Sequence, residues 1–190
     1  MKRSDRKLWA GARTLPDLAE LTARWLMRDL QQHPGYPGKQ GPDPETAGIA
    51  TELAAINRAG FLTSGSQPGL IDGEYRQRAG VDGFTDPTNA LRLAATAGDS
   101  VRVIVHAAPC PRRTGYAQAT PVTMYGGTVE TSFGAHLSRS DIHLIYDLIS
   151  PAAFEVLYAA TQVTVIDLEW GRNTLWSWLL DALTKTPAGA

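Results

Sequence analysis

Apolar residues recur along this chain with two different periods, which predict an interleaved set of helices and strands. Spacings of three and four residues, as in Leu18, Leu21 and Trp25, place the apolar side chains on one face of a helix. Helices are predicted from Thr14 to near His33-Pro34, from near Asp43 to Gly60, from Asp86 to Gly98, from Ser138 or Ser140 with a restart at Pro151, and from near Leu175. Glycine and proline between these segments mark the connecting loops.

Short apolar runs bounded by turn residues predict the strands. The predicted strands are residues 61–63, 79–85, 101–105, 122–125, 128–133 and 163–168. Gly126-Gly127 between two of them is typical of a β-hairpin. Because helices and strands interleave without regular βαβ units, we expect one α+β domain with a mixed β-sheet core flanked by about five α-helices. This domain is expected to span residues 14–190, after a loosely held N-terminal arm of residues 1–13 anchored by Leu8 and Trp9.

The composition is that of a globular protein with balanced charge. Of the 190 residues, 43% are hydrophobic and 19% are charged, which suits one domain with a substantial core. The 18 basic and 19 acidic residues give a net charge of −1, which argues against nucleic acid as a main partner. Local anion-binding patches at Arg76 and Arg78, or at Arg112 and Arg113, stay open.

The single cysteine and the absence of long apolar runs bear on location. With Cys110 alone, no intrachain disulfide can form, and we expect a cytoplasmic protein. Two interpretations of Cys110 are open: a reactive thiol favoured by Arg112 and Arg113, or a bystander in a proline-bounded loop. No apolar run reaches the ~18 residues needed to cross a bilayer, and no secretory signal is visible, so no membrane partner is expected.

Common catalytic and cofactor motifs are absent from the sequence. It contains no glycine-rich dinucleotide or phosphate loop, no His-Glu-x-x-His and no Gly-x-Ser-x-Gly. The four histidines, at positions 33, 106, 136 and 143, are scattered, so neither a metal nor a catalytic cofactor is expected. The acids Glu45, Asp72, Glu74, Asp82 and Glu130 leave a catalytic carboxylate pair open, with helix capping and solvation as the alternative.

A hydroxyl-rich segment follows the second predicted helix. Gly60 is placed for a helix C-cap, and uncharged polar groups then crowd the exit of the next strand before Pro68-Gly69. These polar residues are Thr63, Ser64, Ser66 and Gln67. They form either a site for a polar small molecule or an ordinary turn whose polar groups bond to one another.

Four short motifs around this segment match a known family. They are Pro44-Glu45-Thr46, Asn57-Arg58-Ala59-Gly60, residues 62–68 (Leu-Thr-Ser-Gly-Ser-Gln-Pro) and Gln77-Arg78-Ala79. In this order they resemble the C-terminal regulatory domain of eukaryotic-type methylenetetrahydrofolate reductase. The likeness extends over most of residues 14–184 and is specific in residues 44–85. The loop of residues 69–76 is shorter than in that family.

The resemblance implies an α+β fold that binds S-adenosylmethionine or S-adenosylhomocysteine. It implies ligand contacts at Glu45, Thr46, Thr63, Ser66 and Thr123, with a further hydroxyl from Thr131 or Ser132. Hydroxyl groups both donate and accept hydrogen bonds, which suits an adenine edge and an amino-acid tail. Glu45 would accept from the α-ammonium group, and helix capping is the alternative role of Glu45-Thr46.

Because the sequence contains no catalytic barrel and no flavin site, we expect a stand-alone module that senses or sequesters the adenosyl ligand or regulates a partner. Two alternatives are open. The first is an enzyme that cleaves or transfers part of the ligand, with Glu45, Asp72 and Glu74 near the pocket. The second is a scaffold or interaction protein in which the pocket is vestigial and closed. Trp170, Trp176 and Trp178 would then lie on a dimer or partner face, with core packing as their alternative role.

Overall fold

One long antiparallel strand joins the two halves of the β-sheet. The computed structural model describes residues 1–36, 38, 40–106 and 119–185, so Cys110, Arg112 and Arg113 lie outside the described residues. The strands are β1 (Phe61–Gln67), β2 (Leu70–Asp72), β3 (Tyr75–Thr85), β4 (Val101–His106), β5 (Thr120–Tyr125), β6 (Thr128–Phe133) and β7 (Thr161–Trp170). The first part of β3 pairs with β2 and β5, and its second part pairs with β1 and β7. β4 and β6 complete the sheet beside β7 and β5.

The sheet is antiparallel at every pairing of the described strands, so the expectation of a mixed sheet is wrong. The helical connection between β3 and β4 returns the chain in the same direction. The two strands are not neighbours, however, because β7 lies between them and is antiparallel to each. The order of strands in the sheet therefore decides the type of pairing, and local patterns contain no information on that order.

Helices cover the sheet and supply much of the core. They are α1 (Arg3–Gly11), α2 (Leu15–Leu26), a 3-10 helix (Pro44–Ile49) that leads into α3 (Ala50–Arg58), α4 (Pro87–Thr96), α5 (Arg139–Ile145), α6 (Pro151–Ala159) and α7 (Leu175–Thr184). α2 and α3 pack on each other and on β1, and α7 packs on α3 and α4. The α+β class is confirmed, with seven α-helices in the described residues rather than about five.

The core includes two tryptophans whose roles the sequence left to be decided. Trp176 of α7 is 3% exposed, so this aromatic side chain packs inside and is not available to a partner. Trp9 anchors residues 1–13 as expected, since it is fully buried, but these residues form α1 rather than a loose arm, and Leu8 is exposed. The Trp9 indole N–H donates to the carbonyl of Gln32 (3.0 Å), and the buried Asp5 carboxylate accepts from the N–H groups of Gln31 and Gln32. These contacts are distant in sequence, so the polar pattern of residues 1–13 gave no sign of them.

Local signals placed most helix ends correctly. Thr14 forms a capping box with Asp17, and Gly60 takes a positive φ of 95° at the end of α3. α2 nevertheless ends at Leu26 rather than near His33, and Arg28, with φ of 64°, redirects the chain just after it. Within the described residues, no helix combines the length and the apolar character required to span a membrane.

Candidate functional site

A bulge in β1 creates the most distinctive polar region of the fold. Thr63 pairs with Gly83 and Gly65 pairs with Asp82, which leaves Ser64 as an extra residue. The Ser64 hydroxyl donates to the carbonyl of Asp82 (3.1 Å), and the Ser64 carbonyl accepts from the Tyr36 hydroxyl (3.2 Å). Bulges of this kind redirect side chains and often lie beside functional sites. Ser64 and Gly65 separate two cavities, here called the Thr63 cavity and the Asp82 cavity.

The Thr63 cavity brings together three of the seven predicted ligand residues. Thr46 comes from the 3-10 helix, and Thr63 and Ser66 come from β1. Trp25 of α2 and His33 from the following loop form another part of the wall. The cavity measures about 30 Å³, which is room for about one water molecule. The side chains therefore converge, but the space between them is closed to a larger ligand in this conformation.

The His33 ring in this wall is neutral. It is fully surrounded by protein, and this burial lowers its pKa to about 3. Its Nδ1 accepts from the N–H of Gly35 (3.0 Å), so Nε2 bears the proton and donates to the Thr22 hydroxyl (3.3 Å). Aromatic rings of Trp9 and Trp25 pack against it at centroid distances of 4.8 and 4.9 Å. His33 thus adds no charge to the cavity at neutral pH.

One residue that lines the Thr63 cavity has a buried donor with no hydrogen-bond partner among the described residues. The indole nitrogen of Trp25 is buried and makes no hydrogen bond within the described residues, although its side chain lines the cavity. Buried polar groups in proteins are nearly always hydrogen-bonded, so such a group requires an explanation. A ligand or a bound water in the cavity would satisfy it.

Two residues of the motifs that support the resemblance have structural roles. The buried Asn57 amide donates to the Thr63 hydroxyl (2.9 Å) and accepts from the Thr63 N–H (3.1 Å), which fixes the start of β1 against α3. Gln67 donates from one amide nitrogen to the carbonyls of Arg78 (2.9 Å) and Val122 (2.8 Å). Gln67 thus links β1 to the two strands that meet at its end.

Arg78, from the same motifs, also stabilises the sheet. Its guanidinium group donates to the carbonyls of Leu168 (3.1 Å) and Pro121 (2.9 Å), on β7 and β5. It also lies 4.0 Å from the ring centroid of Trp170. Arg78 is therefore engaged with the protein and does not provide the free cation expected of an anion-binding patch.

The other four predicted ligand residues lie outside the Thr63 cavity. Thr123 is buried and donates its hydroxyl to Gln67 (3.1 Å), and Thr131 pairs with it from β6 but is exposed. Ser132 lines the Asp82 cavity. Glu45 is exposed at the start of the 3-10 helix and lines neither cavity.

The Asp82 cavity was not recognised from the sequence, although Asp82 was among the candidate acids. It measures about 200 Å³ and is lined by Asp82 of β3, Thr164 and Gln162 of β7, His106 of β4, and Ser132. The Asp82 carboxylate accepts from the Thr164 hydroxyl and from the backbone N–H of Gly134. Burial raises the pKa of Asp82 to about 6, because the effect of burial is larger than that of the two hydrogen bonds, which lower the pKa.

Two histidines that are 30 positions apart meet beside this cavity. The rings of His106 and His136 lie 5.2 Å apart, and burial lowers the pKa of each. The Nε2 atom of His106 lies 3.2 Å from the carbonyl oxygen of Gly134, and the Nε2 atom of His136 lies 3.3 Å from the amide nitrogen of Gln162. Gln162 of β7 pairs with His106 of β4. This long-range register brings His106, His136 and Gln162 together, and the spacing of these residues in the sequence does not reveal it.

The remaining candidate acids do not join this group. Asp72 and Glu74 are exposed at the turn between β2 and β3, and Glu130 is exposed on β6. Within the described part of the chain, no cluster of three or more histidine, cysteine, aspartate or glutamate side chains is placed to hold a metal ion. A wide groove of about 760 Å³ between α5 and α6 contains none of the seven predicted residues, and its Arg139 and Glu155 pair with each other.

Comparison with known proteins places the chain in a family. None of the curated proteins compared with it matches. The resemblance to the methylenetetrahydrofolate reductase regulatory domain therefore stays a prediction. A family model described as a domain of unknown function (DUF6919) matches residues 4–186, which is nearly the whole chain. The chain belongs to this DUF6919 family.

Proposed function

We propose that the chain is a binding module for S-adenosylmethionine or S-adenosylhomocysteine, and that the Thr63 cavity is the centre of its site. One observation supports this most. Thr46, Thr63 and Ser66 line one cavity together with Trp25, whose buried indole N–H has no hydrogen-bond partner within the described residues. Such convergent donors and acceptors suit a polar, uncharged portion of a ligand such as an adenine ring.

The size of the cavity implies that the ligand binds to a more open conformation. Ligand pockets in proteins usually measure about 300–1,000 Å³, whereas this one measures about 30 Å³. The 3-10 helix that contributes Thr46 is the element best suited to move, because its hydrogen-bond geometry is poorer than that of an α-helix. Because only open molecules would bind, the apparent affinity would be the intrinsic affinity multiplied by the fraction of molecules that are open.

Glu45 would complete the site from the outside. It directly precedes Thr46, is exposed, and has no ion-pair partner among the described residues. When the 3-10 helix moves, the Glu45 carboxylate would be available to the α-ammonium group of the ligand. The module would then report the level of the adenosyl ligand by the position of this helix.

Titration calorimetry with both ligands tests the proposal. We expect binding of at least one of them below 1 mM, which corresponds to about 4 kcal/mol of affinity. Thr46→Val and Ser66→Ala should each weaken binding by about tenfold, since each removes one hydrogen bond to the ligand. Thr51→Val is the matched control, because Thr51 is exposed on α3. No heat with either ligand at 1 mM, or equal binding by Thr46→Val and Thr51→Val, would refute the proposal.

A further inference from the structure

We propose that the Asp82 cavity binds a small organic cation, a primary ammonium ion with a short alkyl chain, with the Asp82 carboxylate as its counter-ion. The site is distinct from the Thr63 cavity, and the proposal does not rest on adenosyl binding. Four features of the cavity support it: its charge, its hydrogen-bonding groups, its apolar wall and its size.

The charge of the cavity is negative and uncompensated. Asp82 is the only acid among the residues that line it, and neither lysine nor arginine is among these described residues. The one other titratable group in the lining is His106, whose pKa is lowered by burial, so it is neutral near pH 7. Asp82 is partly buried and has no cationic partner among the described lining residues, so a bound cation would relieve part of the cost of this burial.

The hydrogen-bonding groups around Asp82 leave acceptor capacity for a ligand. The carboxylate accepts from Thr164 and from the backbone of Gly134. An ionised carboxylate has about four acceptor positions, so two donors do not saturate it. The hydroxyl of Ser132 lines the same cavity and adds another acceptor. An ammonium group has three donors and no acceptor, which matches these oxygens.

The lining of the cavity also includes four apolar residues, which suit an alkyl chain. They are Phe84, Leu137, Ile145 and Val163. The volume of about 200 Å³ corresponds to about six water molecules, so the ligand must be small. A linear amine of about four carbons combines the required charge, donors and apolar surface.

The ionisation of Asp82 makes this binding dependent on pH. The polar residues that line the cavity with Asp82 are Ser64 of β1, His106 of β4, Ser132 of β6, and Gln162 and Thr164 of β7, and of these only His106 titrates. With a pKa of about 6, Asp82 is mostly protonated at pH 5 and mostly ionised at pH 7. The affinity for a cation should therefore rise about tenfold from pH 5 to pH 7. Below pH 6, binding should release a proton.

Titration with butylammonium tests the inference directly, with butan-1-ol as the neutral probe of similar shape. We expect millimolar or tighter binding of butylammonium at pH 7, about tenfold weaker binding at pH 5, and no binding of butanol. Asp82→Asn, which keeps the shape and removes the charge, should abolish binding. Asp99→Asn, at an exposed position, removes the same charge elsewhere and should bind like the wild type.

A second measurement on the wild-type protein protects the test against a variant that fails to fold. The ¹³C resonance of the Asp82 carboxyl group should titrate near pH 6 and shift to lower pH when butylammonium is added. An unchanged titration in saturating butylammonium, or equal binding of butylammonium by Asp82→Asn and wild type, overturns the inference. Equal binding of butanol and butylammonium overturns it as well, since the cavity would then select only for apolar shape.

Discussion

Thr123 donates its hydroxyl proton to the Oε1 of Gln67, across 3.1 Å and 56 positions of sequence. The same Gln67 side chain donates to the carbonyls of Arg78 and Val122. Gln67 thus connects β1, β3 and β5 where the two parts of the sheet meet. Thr123, which the resemblance implies as a ligand contact, and Gln67, from one of its motifs, therefore stabilise the scaffold of the site. The Thr63 cavity lies further along β1.

Loss of the Gln67 amide should strongly destabilise the fold. In Gln67→Leu, the buried carbonyl of Val122 and the hydroxyl of Thr123 lose a partner, at a cost of about 1–3 kcal/mol for each buried unsatisfied group. We expect the free energy of unfolding, measured by urea denaturation, to fall by about 3 kcal/mol. The same change at the exposed Gln31 should alter it by less than about 0.5 kcal/mol. A loss in Gln67→Leu no larger than in Gln31→Leu would contradict this role.

Gly83 should not tolerate even a methyl group. A Cβ at this position would lie 2.4 Å from the Leu62 carbonyl oxygen and 2.4 Å from Cε1 of Phe61. Both neighbours belong to the adjacent strand β1, and Phe61 is part of the core. Gly83→Ala should therefore lower the free energy of unfolding by about 1–3 kcal/mol. Gly65→Ala is the matched control on the partner strand, because nothing lies within 4 Å of its Cβ position. Equal thermal unfolding of the two variants would show that the β1–β3 packing is looser than described.

The Asp82 carboxyl group should increase the free energy of unfolding in mild acid. Its folded pKa of about 6 lies above the ordinary value of 3.8, so between these values the folded state binds the extra proton. Its contribution to the free energy of unfolding therefore increases as the pH falls from about 6 to about 4. The difference between wild type and Asp82→Asn, measured by urea denaturation, should shift in favour of wild type over this range. A difference that is constant with pH would contradict the raised pKa.

His33 should have the opposite effect on stability. Its folded pKa of about 3 lies below the ordinary value of 6.5, so the unfolded state binds the extra proton between these values. The stability that depends on neutral His33 is complete above pH 6.5 and is lost as the pH falls toward 3. In ¹⁵N NMR spectra, the His33 ring should remain neutral at pH 5, with the proton on Nε2. A His33 titration near pH 6.5 would contradict this, because it would mean that water reaches the ring between Trp9 and Trp25.

The parts of the fold that the sequence predicted are those governed by neighbours in the chain. The caps at Thr14 and Ser138 and the Gly126-Gly127 hairpin depend on contacts within a few residues. The β2–β3 hairpin was missed, although Gly73, with φ of 58°, begins its two-residue turn, where glycine is favoured because the first turn residue needs a positive φ.

The site depends more on the packing of distant segments. The hydroxyls of Thr63 and Ser66 could be singled out because they lie three residues apart in one segment. The contribution of Trp25 to their cavity depends on how α2 packs beside β1. The approach of His106 to His136 depends on the β4–β7 register. Neither relationship has a local signature in the sequence.

The indole N–H resonance of Trp25 offers the most direct test of the central claim that the Thr63 cavity binds an adenosyl ligand. Trp25→Phe identifies the resonance in the ¹H–¹⁵N spectrum among those of the five tryptophans. Because Trp25 lines the cavity and its buried indole N–H has no protein partner, saturable addition of S-adenosylmethionine or S-adenosylhomocysteine should shift this resonance. A resonance that stays in place up to 1 mM of both ligands would contradict the claim.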